Sequence, residues 1–367
     1  MGLLGFIFMA YSVTMSITAL YFIMLAIERS KELGTLKPYS YKAMAVAAFG
    51  PSAGTMVDCI IMCYTGFSLV AYMVLIIDFF QPPLRYFFGP GVWETAPFIL
   101  LCGGLAIFGL CCLPSVEALK YSSLLGNLAI FYTVMLVIYE WYSNDMAVSE
   151  DVVPFRFGPG ALRVVGIFTA AFNMHYNMPV YYEGMQPYSP ASMLSIVFSV
   201  FAMVLVFYIP ISLCGYFNFG SSIQSNILRN FGDDTRFLVC RLGLGIMMIC
   251  SYPLVQVSTR SALGRLVYGD SQELSYEHKV KLSMVILPVT VVVAYVMPSF
   301  GVVLAYNGAI FGTLQQLIFP SLAFYFISQK AGIKGCSSTI ALVVATLGVV
   351  VACIGTGAQT YVLMTGQ

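Results

Sequence analysis

The sequence predicts an all-α polytopic membrane protein with about ten transmembrane helices. Three observations carry that prediction. The 367-residue chain is 59% hydrophobic and only 9% charged, with a mean hydropathy of +0.87, more apolar surface than a soluble domain of this length can bury. Its apolar residues fall into runs of roughly the 20 that a helix needs to cross a bilayer core of about 30 Å. Those runs lack the strict alternation that marks the strands of a membrane barrel.

The runs lie near residues 3–27, 52–79, 97–113, 122–141, 164–182, 193–217, 237–257, 282–298, 302–326 and 338–363. The first is too long for a signal-peptide core and carries no small-residue cleavage site. The third is at the short limit for a span. With the N-terminus outside, eleven basic residues fall in inner connections, among them Arg29, Lys42, Arg260 and Lys330, against five in outer ones: Arg85, Arg156, Arg163, Arg229 and Arg236. That bias predicts that both ends of the chain face outward.

The longest connections are the basic "ERSKELGTLKPYSYKAMAVAAFGP" after the first run and the outer "YSNDMAVSEDVVPFRFGPGALR". The apolar stretch Ala43–Phe49 is expected to lie flat on the inner membrane face. Most of the ten cysteines sit inside the spans, with Cys336 in a cytoplasmic turn. No disulfide framework is expected, and small-residue packing accounts for them. No phosphate-binding loop, zinc-protease helix, serine-nucleophile elbow or pair of aspartates on facing spans is present, so catalysis is not expected and no metal ligand set is found. A net charge of +1 gives no basis for a nucleic-acid partner.

The fifth run contains an anomaly, "AAFNMHYNMPVYYEGMQ" at 170–186. Entering near Val164 from outside, it would place Asn173 and His175 near the bilayer midplane. Pro179 cannot donate a backbone hydrogen bond and clashes with the preceding turn, which predicts a helix interrupted between about Asn173 and Pro179, with the carbonyl of His175 left free. Interrupted helices at the midplane are how secondary transporters build substrate sites. A simple kink whose asparagines bond to neighbouring spans is the competing reading; midplane position and proline together favour a site.

Charged residues within spans each cost about 2.5–3.5 kcal/mol near the centre on insertion scales. Asp58, in the inner half of the second run, is expected to meet a cytoplasmic lysine or arginine. Arg241, in the outer half of the seventh, is expected to snorkel outward. Glu183 and Arg260 share a depth and are candidates for a cytoplasmic gate.

"MPVYYEGM" resembles the P-x-Y-x-E-M pattern near the sixth helix of the amino acid/auxin permease family. "SLCGYFNFGSSIQSNILRNF" is similar to the segment after that family's seventh helix. "RLGLGIMMICSYPLVQVSTRSAL" resembles its eighth helix, "VLAYNGAIFGTLQQLIFPSLAFY" its tenth, and "LPSVEALKYSSLLGNLAIF" the start of its fifth. The matches run in family order over nearly the whole chain.

The resemblance implies a LeuT/APC-like fold of two five-helix inverted repeats with the first helix missing. An incomplete first repeat would occupy 1–141, the second 161–326, and an extra helix 338–363, all in one membrane transporter domain over 1–367. It implies secondary active transport of amino acids, symport coupled to protons or sodium, by alternating access around the broken helix. No cofactor beyond the coupling ion, a lipid bilayer as surroundings and a monomeric state are expected, in the plasma membrane or a vacuolar or lysosomal membrane. Phe172, Asn173, Met174, His175, Tyr176 and Tyr72 would bind substrate, and Ser251 would be an ion ligand. A non-transporting relative, a nutrient sensor or inactive product, is the alternative. With only half of the family's two-helix clamp, the chain as written is not expected to transport, and a groove is expected beside 172–178, lined by 52–79 and 237–257.

Overall fold

A computed structural model of the chain describes residues 2–34, 40–113, 120–155, 157–185, 189–269, 274–297, 299–333 and 335–365. Lys37, Arg156 and Lys334 of the charge count, and residues 114–119 of the fifth-helix-like segment, lie outside them. Thirteen α-helices occur among the described residues: α1 Gly2–Glu32, α2 Tyr41–Phe49, α3 Pro51–Phe88, α4 Ala96–Cys111, α5 Lys120–Ser143, α6 Pro159–Ala171, α7 Met178–Gly184, α8 Pro190–Phe219, α9 Thr235–Tyr268, α10 Tyr276–Val296, α11 Phe300–Tyr306, α12 Phe319–Lys330 and α13 Cys336–Thr365. Eight helical stretches are long and apolar enough to cross a membrane, α11 and α12 counting as parts of one, and α4 is a shorter apolar helix. The expected fifth span is the broken pair α6 and α7. The architecture is that of a multi-pass helical membrane protein.

The chain divides into two compact units, with boundaries inside α3, α8 and α11. The first comprises residues 1–64, 154–203 and 304–367; the second comprises 65–153 and 204–303.

In the first unit α2 caps itself through Ser40, whose hydroxyl accepts from the Ala43 amide at 3.0 Å. Its buried face, Tyr41, Met44, Ala45 and Ala48, does not await lipid. It packs on α12, where the rings of Tyr41 and Phe319 lie 4.5 Å apart and those of Phe49 and Phe326 5.2 Å apart. Lys42 reaches Asp58 at 2.7 Å. The fully buried carboxylate thus has the basic partner that its position demanded.

Between α11 and α12 the chain leaves the α register. Asn307–Gly312 and Leu314–Ile318 are π-helical. The Thr313 amide donates to the Gly308 carbonyl, and the Phe319 amide to that of Leu314, each five residues back. Pro320 supplies one cause: its ring would clash with the Gln316 carbonyl in a regular α-turn, so the turn before it widens. Packing supplies another. A Cβ added to Gly308 would lie 1.8 Å from the Gly166 carbonyl oxygen, and one on Gly166 would lie 2.9 Å from that of Ala305. Glycines therefore bring the backbones of α6 and the π-helical segment together. On another side Gly348 and Gly355 of α13 admit Leu317, Ile318 and Ala309.

The second unit is built on an apolar core of α3, α4, α5, α9 and α10 residues, including Leu69, Met73, Ile76, Leu100, Ile107, Leu136, Met248, Tyr252 and Ile286. Gly245 of α9 gives way to the ring of Phe80, which would lie 2.6 Å from an added Cβ.

The glycine contact makes a sharp stability prediction. Gly308→Ala, meeting backbone at 1.8 Å, should destabilise the protein by about 3 kcal/mol or more. Gly66→Ala in α3, where nothing lies within 4 Å of the added carbon, should be neutral or stabilise by up to about 1 kcal/mol. Thermal unfolding of both variants in detergent checks the contrast.

Candidate functional site

Helix α6 ends at Ala171, Phe172–Met174 are not helical, His175–Asn177 form one 3-10 turn, and α7 begins at Met178. The predicted interruption is therefore present. Its chemistry differs from expectation in one respect. The carbonyl of His175 is not free, because the Met178 amide donates to it. Pro179 stands in the first turn of α7, where a missing amide costs nothing and a fixed φ favours the helix. The proline starts the second half-helix rather than tearing a continuous one.

Several of the groups released by the break have identifiable partners. The Tyr64 hydroxyl donates to the Ala170 carbonyl at 3.1 Å, and the Ser16 hydroxyl donates to that of Phe172 at 3.0 Å. The Asn173 side-chain oxygen accepts from the His175 amide at 3.3 Å. That bond fixes the amide's orientation, so Nδ2 of Asn173 faces Gln315 and donates to its Oε1 at 3.2 Å. The Tyr41 hydroxyl donates to the Gln315 backbone carbonyl. Nε2 of His175 lies 3.1 Å from the Ser16 carbonyl, which can only accept. Nδ1 lies 3.3 Å from Asn173 Oδ1.

Phe172 and His175 are buried, at 4% and 0% exposure, while Asn173, Met174 and Tyr176 are half-buried. Tyr176 lies near Tyr64, ring centroids 6.2 Å apart. His175 thus does not look into an open groove, as the sequence suggested. Ser16 and Asn173 enclose its ring, because an imidazole in an apolar span needs partners for both nitrogens. The site in this unit also includes residues that the sequence did not single out: Ser16, Tyr41, Tyr64 and Gln315. Only Gln315 left a readable trace, as half of a paired amide in the otherwise apolar "GTLQQLIF".

Glu183 is exposed on α7. The polar tie at that end comes instead from its neighbour Tyr182, whose hydroxyl donates to Glu28 at 2.8 Å.

The remaining candidates belong to the second unit. Tyr72 is half-buried and packs against the apolar core. Ser251 is half-buried in α9, beside the fully buried Tyr252, whose hydroxyl meets Thr290 at 2.7 Å. Arg260 lies 3.4 Å from the Cys111 carbonyl, to which it donates.

Arg241 corrects a second expectation. It does not snorkel to solvent; its side chain is 3% exposed. It donates to the carbonyls of Leu228 and Phe231 at 2.8 Å each and of Gly232 at 3.2 Å, and to Asp233 at 3.0 Å. The loop before α9 folds over the guanidinium and replaces water with carbonyl oxygens, which sequence cannot show. Beside it, Asp78 of α3 accepts from Asn226 at 3.1 Å and pairs with Arg229. These residues, with Gln81 and Gln224, line a cavity of about 330 Å³.

A multi-pass helical membrane protein with an interrupted span has the form in which secondary transporters are built. The chain belongs to the transmembrane amino acid transporter protein family, which it matches over residues 1–362, in agreement with the resemblance drawn from its motifs. Its relatives include Amino acid transporter AVT6E of Arabidopsis thaliana, 24% identical over 89% of this chain and 72% of the relative. Vacuolar amino acid transporter 5 of Schizosaccharomyces pombe is 24% identical over 83% of this chain and 73% of its own length. "Putative sodium-coupled neutral amino acid transporter 11" of Homo sapiens is 26% identical over 50% of this chain and 44% of its own. The family is one of transporters, not enzymes.

The Arg241 cluster predicts a structural phenotype. Arg241→Met removes the donor to three carbonyls and a carboxylate, and should cost about 3 kcal/mol of stability. Urea or thermal unfolding in detergent, with proteolysis of the 228–233 loop as local readout, checks it.

Proposed function

We propose that this protein moves amino acids across a membrane by secondary active transport, with the interrupted segment Phe172–Asn177 as the heart of the substrate site. One observation supports this above the rest. An apolar span breaks into two half-helices at a cluster of polar groups, the arrangement in which half-helix ends and freed backbone hold a small zwitterion. Asn173, Met174 and Tyr176, the half-buried members, are the side chains through which substrate gains the site. Phe172 and His175 shape it from behind. Tyr72 is proposed for a substrate role, Ser251 for an ion role, and Glu183 and Arg260 each for a gating role.

Coupling to protons or sodium is part of the proposal. The two oxygens facing the ring nitrogens of His175 would each accept a hydrogen bond from an imidazolium, which favours a proton role. The sodium-coupled name of one relative keeps Ser251 as the competing ion residue, and the vacuolar name of another keeps an internal membrane beside the plasma membrane.

Uptake of a panel of labelled amino acids into vesicles containing the purified protein decides between this reading and the expectation, drawn above from the resemblance alone, that the chain as written does not transport. Saturable uptake driven by an imposed proton or sodium gradient is expected, and Asn173→Leu should reduce it about tenfold or more without loss of membrane insertion. No uptake of any amino acid under either gradient would overturn the proposal.

The coupling role has its own test. His175→Leu should weaken the drive that an imposed proton gradient gives to uptake. A wild-type response to the gradient in the variant would remove His175 from coupling and leave the substrate site standing.

A further inference from the structure

The π-helical turn beside the break presents a group that nothing so far accounts for. The Gln315 side chain is fully buried. Its oxygen accepts from Asn173 at 3.2 Å, and its backbone carbonyl accepts from Tyr41, but Nε2 has no acceptor among the described residues. The amide cannot be turned over to remove the orphan. Asn173 Oδ1 is committed to the His175 amide, so Asn173 shows Gln315 its donor, and Gln315 must answer with oxygen.

A buried donor without a partner costs about 1–3 kcal/mol, and more where no water is near. The oxygen is explained by its bond to Asn173; the donor end of the amide is not explained by any contact among the described residues. The backbone that carries it is costly as well. Leu314–Ile318 form a π-helical stretch, a geometry frequent at functional sites. The orphan donor sits in the widened turn that Pro320 and the glycine contacts produce, on the residue that touches Asn173.

Resting on the transport reading above, we propose that Gln315 is a substrate-binding residue whose side-chain N–H groups receive the α-carboxylate of the amino acid. The polarity follows from the network. Because Asn173 already occupies the oxygen, the part of Gln315 left for a ligand is donor only. It suits a carboxylate and not an ammonium group. The substrate is therefore oriented with its carboxylate toward the π-helical turn. A donor to a charged acceptor in a site shielded from water discriminates strongly against analogues that lack the charge.

The experiment uses the best-transported labelled amino acid of the panel, with its unlabelled form and its methyl ester as competitors, in vesicles containing wild-type, Gln315→Met or Gln315→Glu protein at about pH 7. Methionine matches the shape and removes the orphan donor. Glutamate keeps an acceptor toward Asn173 and replaces the donor. Both variants should raise the KM for the amino acid about ten- to a hundredfold, while competition by the methyl ester stays within about twofold of wild type. Gln315→Met removes the orphan donor but takes the acceptor from Nδ2 of half-buried Asn173, so its melting temperature should stay close to that of wild type. Unchanged KM in both variants, with wild-type uptake intact, would overturn the Gln315 assignment alone. So would a fall in uptake matched by a lower melting temperature and equal loss of amino acid and ester competition, the mark of a merely structural residue. Absence of uptake in wild type would overturn this proposal together with the transport reading.

Discussion

A backbone broken inside an apolar span must find its hydrogen-bond partners within the protein, and the first unit is organised around that need. The carbonyls of Ala170 and Phe172, which end α6, are met by Tyr64 from α3 and Ser16 from α1. The amide of His175 is met by the side chain two residues before it. Remove these partners and the interruption would become an uncompensated defect, so α1 and α3 are held to α6 by the geometry of the gap as much as by apolar contact. The glycines serve the same arrangement from outside: Gly166 and Gly308 let the π-helical segment approach closely enough for Gln315 to reach Asn173.

The interruption was legible because its signal is local. Proline, two asparagines and a histidine in an apolar run cannot continue an unbroken lipid-facing helix, whatever surrounds them. The need of Asp58 for a cation was legible for a similar reason, since a carboxylate at that depth requires a partner, and Lys42 provides it. The π register was not legible. "NGAIFGTLQQLIFP" has ordinary helical composition, and the widened turns follow from a proline read together with a crossing against Gly166 that lies far away in sequence. Nor was the setting of Arg241, because its principal partners are main-chain carbonyls, which every residue possesses and no residue type announces. The same holds for His175, whose closest partner is the backbone of Ser16.

The two units divide the polar chemistry between them in different styles. In the first, neutral amides, hydroxyls and one imidazole carry the network around the break, with the charged pair Lys42–Asp58 and the Glu28 contacts set apart from it. In the second, the polar cluster is ionic, built from Asp78, Arg229, Asp233 and Arg241 around a cavity of about 330 Å³. Each ion pair joins one buried partner, Asp78 or Arg241, to one that reaches the surface, Arg229 or Asp233.

The way in which Arg241 is held has a consequence for how the chain enters a membrane. All four of its partners lie between Leu228 and Asp233, 8 to 13 residues upstream. A cation whose ligands came from distant helices would have to wait, unneutralised, for the whole bundle to assemble. Here the loop and the first turns of α9 contain everything needed to wrap the guanidinium, so the charge can be neutralised as soon as that hairpin emerges. The seventh span thereby carries the partners of its own cation in the loop that precedes it.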